Sequence, residues 1–137
     1  MHYEVTKRKD NGFFNLEKDQ EALEVYLEEI QDKTIYFDTE IERLRYLVDN
    51  DFYFDLFAKY SEADLQEITD YAKSIPFKFA SYMSASKFFK DYALKTNDKS
   101  QYLEDYKQHV AIVALYLANG DMKQAKQFIS ASMSIEL

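Results

Sequence analysis

The chain has no cysteine, only two glycines and a single proline in 137 residues. Without a thiol there is no disulfide framework, zinc–thiolate site, iron–sulfur cluster or cysteine nucleophile. With two glycines the phosphate-cradling loops G-x-x-x-x-G-K-[ST] and G-x-G-x-x-G cannot be built, and neither they nor G-x-S-x-G occur. Basic residues are also in short supply. Seventeen Lys and Arg against 25 Asp and Glu leave a net charge of −8, which argues against a duplex-DNA partner. No apolar run approaches the roughly 20 residues a membrane helix needs, so no membrane span is expected. The N-terminal stretch Met1-His2-Tyr3-Glu4-Val5 lacks the apolar stretch of a secretory leader, and the cytoplasm is the default location.

What remains is apolar and aromatic. Hydrophobic residues make up 47%, with twelve Tyr and eleven Phe, so the chain can build a core dominated by large rings. Scarce Gly and Pro favour helices over turn-rich sheets. The length suits one domain.

Periodicity predicts a mainly α fold, a compact multi-helix domain of six or seven helices with one short β-hairpin. Residues 1–15 read as a flexible arm whose Phe13 and Phe14 dock on the body. Residues 16–75 form a helical region and residues 76–137 a helix, the hairpin and two C-terminal helices, packed as one domain with it. Asn15 is placed to cap a first helix to about Gln31. Thr39-Glu40-Ile41-Glu42 has capping-box spacing for a second helix over about 40–49. Asp51 is read as starting a third and Ser61 as capping a fourth, ended by Pro76. A fifth spans about 79–91. The arms Tyr92–Thr96 and Gln101–Glu104 around Asn97-Asp98-Lys99-Ser100 read as the hairpin. A helix over 109–119, apolar on nearly all sides, should be the central one. Asn119-Gly120 stops it, and Asp121 caps the last.

Chemistry is close to silent in these residues. His2 and His109 are far apart, so no metal site is expected. Carboxylate pairs such as Glu28-Glu29 and Glu104-Asp105 are better explained as solvated helix faces and N-termini than as acid–base pairs. The aromatic run Phe52-Tyr53-Phe54, with Phe57, has core spacing more than that of a base-stacking platform. No catalytic residue is assigned.

A resemblance carries further. Phe79-Ala80-Ser81-Tyr82-Met83-Ser84-Ala85-Ser86-Lys87-Phe88-Phe89-Lys90-Asp91-Tyr92-Ala93-Leu94-Lys95-Thr96-Asn97-Asp98, then Tyr102-Leu103-Glu104 and the run Val110–Asp121, resembles the N-terminal region of the class Ib ribonucleotide reductase large (alpha) subunit. Asp19–Leu23 and Leu44–Val48 fit the same region, and the likeness covers roughly residues 3–131. In that family the helix holding Ala125–Ala131 leads into a Gln-Pro-Ala-Thr-Pro substrate-phosphate segment and then the catalytic barrel. Here the sequence reads Ser132-Met133-Ser134-Ile135-Glu136-Leu137.

Ribose reduction in the family requires cysteines, so the resemblance implies a non-catalytic regulatory or structural segment, truncated or split before the barrel and inactive alone. Its partner would be the remainder of the alpha subunit or a host alpha subunit, and the radical-generating beta subunit beyond that. A stand-alone interaction protein that mimics this segment and modulates or inhibits a host reductase is the alternative. The resemblance also implies a shortened nucleotide-sensing cone. No cofactor is required, but an adenine deoxynucleotide is the implied effector, with Lys33 as its cation and Tyr36 and Phe37 as stacking rings. Finally, Phe128, Ile129, Met133 and Ile135 are expected to form an apolar interaction surface, met either by a homodimer or by a C-terminal helix that folds back to cover it.

Overall fold

The computed structural model describes the backbone of residues 2–134 and the side chains from Leu16 to Ser134. Six α-helices follow one another: α1 (His2–Asp32), α2 (Glu40–Asp49), α3 (Glu62–Ser74), α4 (Tyr82–Lys87), α5 (Tyr106–Ala118) and α6 (Met122–Met133). The docking of Phe13 and Phe14 lies outside the described side chains.

Five helices start where a short polar side chain accepts from the third backbone N–H beyond it, Ser81 doing so from Ser84 at the start of α4. Thr39 accepts from Glu42, Ser61 from Asp64, Asp105 from Gln108 and Asp121 from Gln124, which satisfies donors that a helix start otherwise leaves unpaired. At Asp105 the box is reciprocal, because the Gln108 side chain accepts from the Asp105 N–H. This cap starts α5 three residues before the expected His109. The backbone of α1 likewise runs through Asn15, so no helix starts there.

Asp51 does not open a helix. Its φ of 63° turns the chain, and only one 3-10 turn, Leu56–Ala58, follows. The local reason is that the Phe52 and Tyr53 N–H groups both return to the Leu47 carbonyl and close the end of α2.

The hairpin is also corrected: no strand forms among the described residues. Lys95 and Tyr102 make a single antiparallel bridge, and Tyr102 makes a parallel one with Thr34. Glu104 explains the missing ladder, since its side chain takes the Leu94 N–H at 3.1 Å. On its other side Tyr102 donates to the Lys33 carbonyl and accepts from Ile35. The segment is a clasp to the end of α1, and the 96–100 turn is held by Asp98, which accepts from Thr96 Oγ1 and from the Ser100 N–H and hydroxyl.

Helix α5 packs on α6 and α3, α3 on α6 and α2, and α1 on α4. Leu65, Ile68, Ala114, Ala125 and Ile129 are fully buried between them. Rings fill the other side. After α4 a π-helical turn, Phe88–Tyr92, closes with the Ala93 N–H on the Phe88 carbonyl. Its extra residue per turn lets two consecutive rings point inward. Phe88 meets Tyr106 and His109, while Phe89 meets Tyr26 and Tyr102.

The far end of α5 is locked by Tyr60. Its buried hydroxyl donates to the Leu115 carbonyl and accepts from the Gly120 N–H, both at 2.8 Å. Asn119 and Gly120 take positive φ there, 49° and 101°, which reverses the chain into α6.

Candidate functional site

A cavity of about 690 Å³ opens between the C-terminal half of α1, the connector 33–39, the start of α2, residues 77–79 and the start of α5. Its walls are drawn from both halves of the chain.

One wall is a buried polar cluster centred on Arg43 and Glu104, each about 3% exposed. Arg43 Nε donates to the Leu103 carbonyl at 2.8 Å, one terminal nitrogen to Glu40 at 2.5 Å, and the other to the Tyr53 hydroxyl at 2.6 Å. Tyr53 in turn donates to Glu104, which lies 3.8 Å from the guanidinium and also holds His109 Nδ1 at 2.6 Å. Gln108 closes the ring by donating to Glu40. Burial lowers the Arg43 pKa, but Tyr53, Glu40 and Glu104 outweigh it and leave the value raised. Burial, then the Glu104 charge, pushes the Tyr53 phenol far up. No buried side-chain polar atom among the described residues lacks a partner. All three guanidinium nitrogens of Arg43 thus already have partners inside the protein, and Arg43 shapes the cavity wall.

The expected nucleotide residues are only partly brought together. Tyr36 is on the rim and 71% exposed, with its ring open to solvent. Phe37 also lines the cavity but already packs on Tyr46, with centroids 5.4 Å apart. Lys33 is absent from the lining. Instead Lys73, Lys78 and Lys107 stand there, and Lys107 Nζ donates to the Lys73 carbonyl at 3.1 Å. These lysines lie 37 residues or more beyond Tyr36 along the chain, so no local spacing signals them. Asp38, Glu24 and Asp105 oppose them around the rim.

Of the two expectations for the last helix, the exposed surface is corrected, and the described part of α6 instead folds back on the body. Ile129 and Met133 are 0% and 7% exposed, because α6 turns that face onto α3 and α5. Phe128 is half-buried, and Ile135 lies outside the described residues. The exposed apolar patch that argued for a homodimer is therefore absent from the described part of α6. No group of three His, Asp or Glu side chains able to hold a metal occurs among the described residues. Among them, no helix is long and apolar enough to cross a membrane.

Comparison with known proteins is unambiguous. Residues 3–77 match the family "Ribonucleotide reductase N-terminal" and residues 78–136 match "Ribonucleotide reductase, all-alpha domain". The chain is 41% identical over 138 aligned residues to the ribonucleoside-diphosphate reductase subunit alpha of Bacillus subtilis, covering 99% of this chain and 20% of that protein. Against the nrdEB subunit alpha of Bacillus phage SPbeta the identity is 42%, covering 99% and 13%. The alpha subunit of Mycoplasma genitalium is 40% identical over 113 residues, covering 81% and 16%. The chain thus spans a fifth or less of the length of these relatives. It belongs to the ribonucleotide reductase family and corresponds to the N-terminal region of the ribonucleoside-diphosphate reductase alpha subunit.

Proposed function

We propose that this chain serves a class Ib ribonucleotide reductase as the non-catalytic N-terminal part of its alpha subunit. It contributes to deoxyribonucleotide synthesis only together with the barrel that carries the chemistry. The observation that carries this reading is the match of both N-terminal family models to a chain with no cysteine. Ribose reduction in the family runs through thiol chemistry, and no other side chain here supplies a comparable hydrogen-atom donor and two-electron reductant.

On this reading the cavity against Tyr36 receives an adenine deoxynucleotide effector. Tyr36 offers a free ring face for the base. Lys73, Lys78 and Lys107 offer the cationic side for the phosphate, the task that Lys33 was expected to perform. Because the walls come from α1, α2, residues 77–79 and α5, a bound nucleotide would clamp the two family-matched parts to each other.

Complementation tests the main reading. The chain is mixed with an alpha-subunit fragment lacking this region, plus the radical-generating subunit, and nucleoside-diphosphate reduction is followed. The expected result is no turnover by the chain alone and restored turnover with the fragment. No gain in activity and no complex on gel filtration would overturn it.

A further inference from the structure

A second groove lies between α4 with its π turn, α5 and α6, and shares only Tyr106 with the first cavity. It measures about 450 Å³. Its floor is apolar: Phe88 and Val110 are buried, and Val113 and Phe128 are half-buried against the core. Covering such side chains takes apolar surface out of water, so this floor favours an apolar occupant.

Its charge is the unusual feature. The chain carries 25 acidic residues, yet none lines this groove; Lys87 and His109 do. His109 is fixed there. Its Nδ1 is held at 2.6 Å by buried Glu104, and its ring stands edge-on to Phe88 at 5.4 Å. The imidazole's other nitrogen is the one left for a visitor. A surface of net charge −8 repels acidic groups almost everywhere, so an acid-free apolar groove with two basic side chains selects them by location.

We propose that this groove docks a segment of the remaining alpha-subunit polypeptide that presents a large apolar side chain with a carboxylate beside it, the side chain on the Val113–Phe128 floor and the carboxylate between Lys87 and His109. A polypeptide occupant follows from length: the relatives are five to eight times longer than the part this chain spans, at 20% and 13% coverage, so most of the surface able to cover this face lies outside it. The proposal rests on family membership and is independent of the nucleotide cavity.

The probe is the peptide acetyl-Glu-Phe-Glu-Leu-amide, with its Gln-Phe-Gln-Leu analogue as control. The chain has only two histidines, so the ring proton resonances of His109 report binding and those of His2 serve as an internal reference. The acidic peptide is expected to shift His109 and not His2, and to bind at least tenfold more tightly than the analogue. Lys87→Glu, an exposed change that leaves the core intact, should erase that preference, and Val113→Asp should weaken both peptides. Equal binding of the two peptides, or a preference that survives Lys87→Glu, would overturn the proposal. So would His109 shifts that follow protein concentration alone, which would give the groove to a second copy. Tighter binding of benzoate than of the peptide would give it to a small anion and also overturn it.

Discussion

Glu104 is the residue on which most of the polar interior converges. Its carboxylate takes the Tyr53 hydroxyl, the Leu94 N–H and His109 Nδ1, and it neutralises Arg43. Removing one member of such a buried pair leaves the other charge without its partner, which typically costs about 3–5 kcal/mol. Glu104→Ala is expected to lose stability in that range by urea unfolding. Arg43→Met combined with Glu104→Leu should lose clearly less than the two single changes summed, because no charge is then stranded. A strictly additive pair would show that the cluster is not coupled.

Asp98 gives the residue scale a pH signature. Hydrogen bonds from Thr96, then from Ser100, stabilise its carboxylate and lower its pKa to about 2 from 3.8. The folded value lies below the unfolded one, so the stabilisation of the 96–100 turn is fully present above about pH 4. It is lost as pH falls through about 2. The Asp98 side-chain carbon should titrate with a midpoint near 2 by NMR, and Asp98→Asn should remove that transition. A midpoint near 4 would contradict the turn geometry.

At the scale of elements, caps decide the boundaries. The Thr39, Ser61 and Asp121 caps are readable because each needs only a short polar side chain at the right offset, and the structure uses all three. The hairpin was not readable in the same way. Its alternation is real, but the donor that would extend it goes to Glu104, and beyond its one bridge to Lys95, Tyr102 also pairs with Thr34 after the end of α1, some 70 residues earlier. No local pattern carries that competition. The reversal at Asn119-Gly120 is legible, and its energetics can be tested. At φ 101° an L side chain is strained even though the space beside Gly120 is open, with only the Lys59 carbonyl 3.9 Å away. Gly120→Ala should therefore destabilise by about 1 kcal/mol or more through backbone strain, with little change in packing. Calorimetry showing an unchanged or raised melting temperature would refute that account.

Helix α6 shows why burial is harder to read than periodicity. Ala125, Ile129 and Met133 recur at helical spacing, which fixes an apolar face but not its partner. That face meets α3 and α5 within the chain. Ile129→Ala should then act on folding and not on association, costing about 2–5 kcal/mol. Sedimentation at several concentrations should give the same mass for the variant and the wild type, whereas a wild-type dimer broken by this change would restore the exposed-surface reading.

At the scale of the whole molecule, one polar cluster lends side chains to both cavities, and the first is walled by segments far apart in sequence. That is why its cations escaped a linear reading: Tyr36 and Phe37 are local, but Lys73 and Lys107 reach the same rim only when α3 and α5 pack. A ligand held by both parts stabilises the entire fold, because it binds the folded chain and not the unfolded one. At a hundredfold excess over its dissociation constant the gain is about 2.7 kcal/mol, which for a chain of this size raises the melting temperature by roughly 10 °C. A deoxyadenosine nucleotide should produce that shift in the wild type. Tyr36→Ala should leave the unliganded melting temperature nearly unchanged, since the ring is 71% exposed, yet cancel most of the nucleotide-induced rise. Lys73→Glu with Lys107→Glu should cancel it too, and the loss should be greater for a diphosphate or triphosphate than for the nucleoside, which has no phosphate to lose. A rise that persists undiminished in these variants would place the nucleotide elsewhere on the protein and leave this cavity without its assigned ligand.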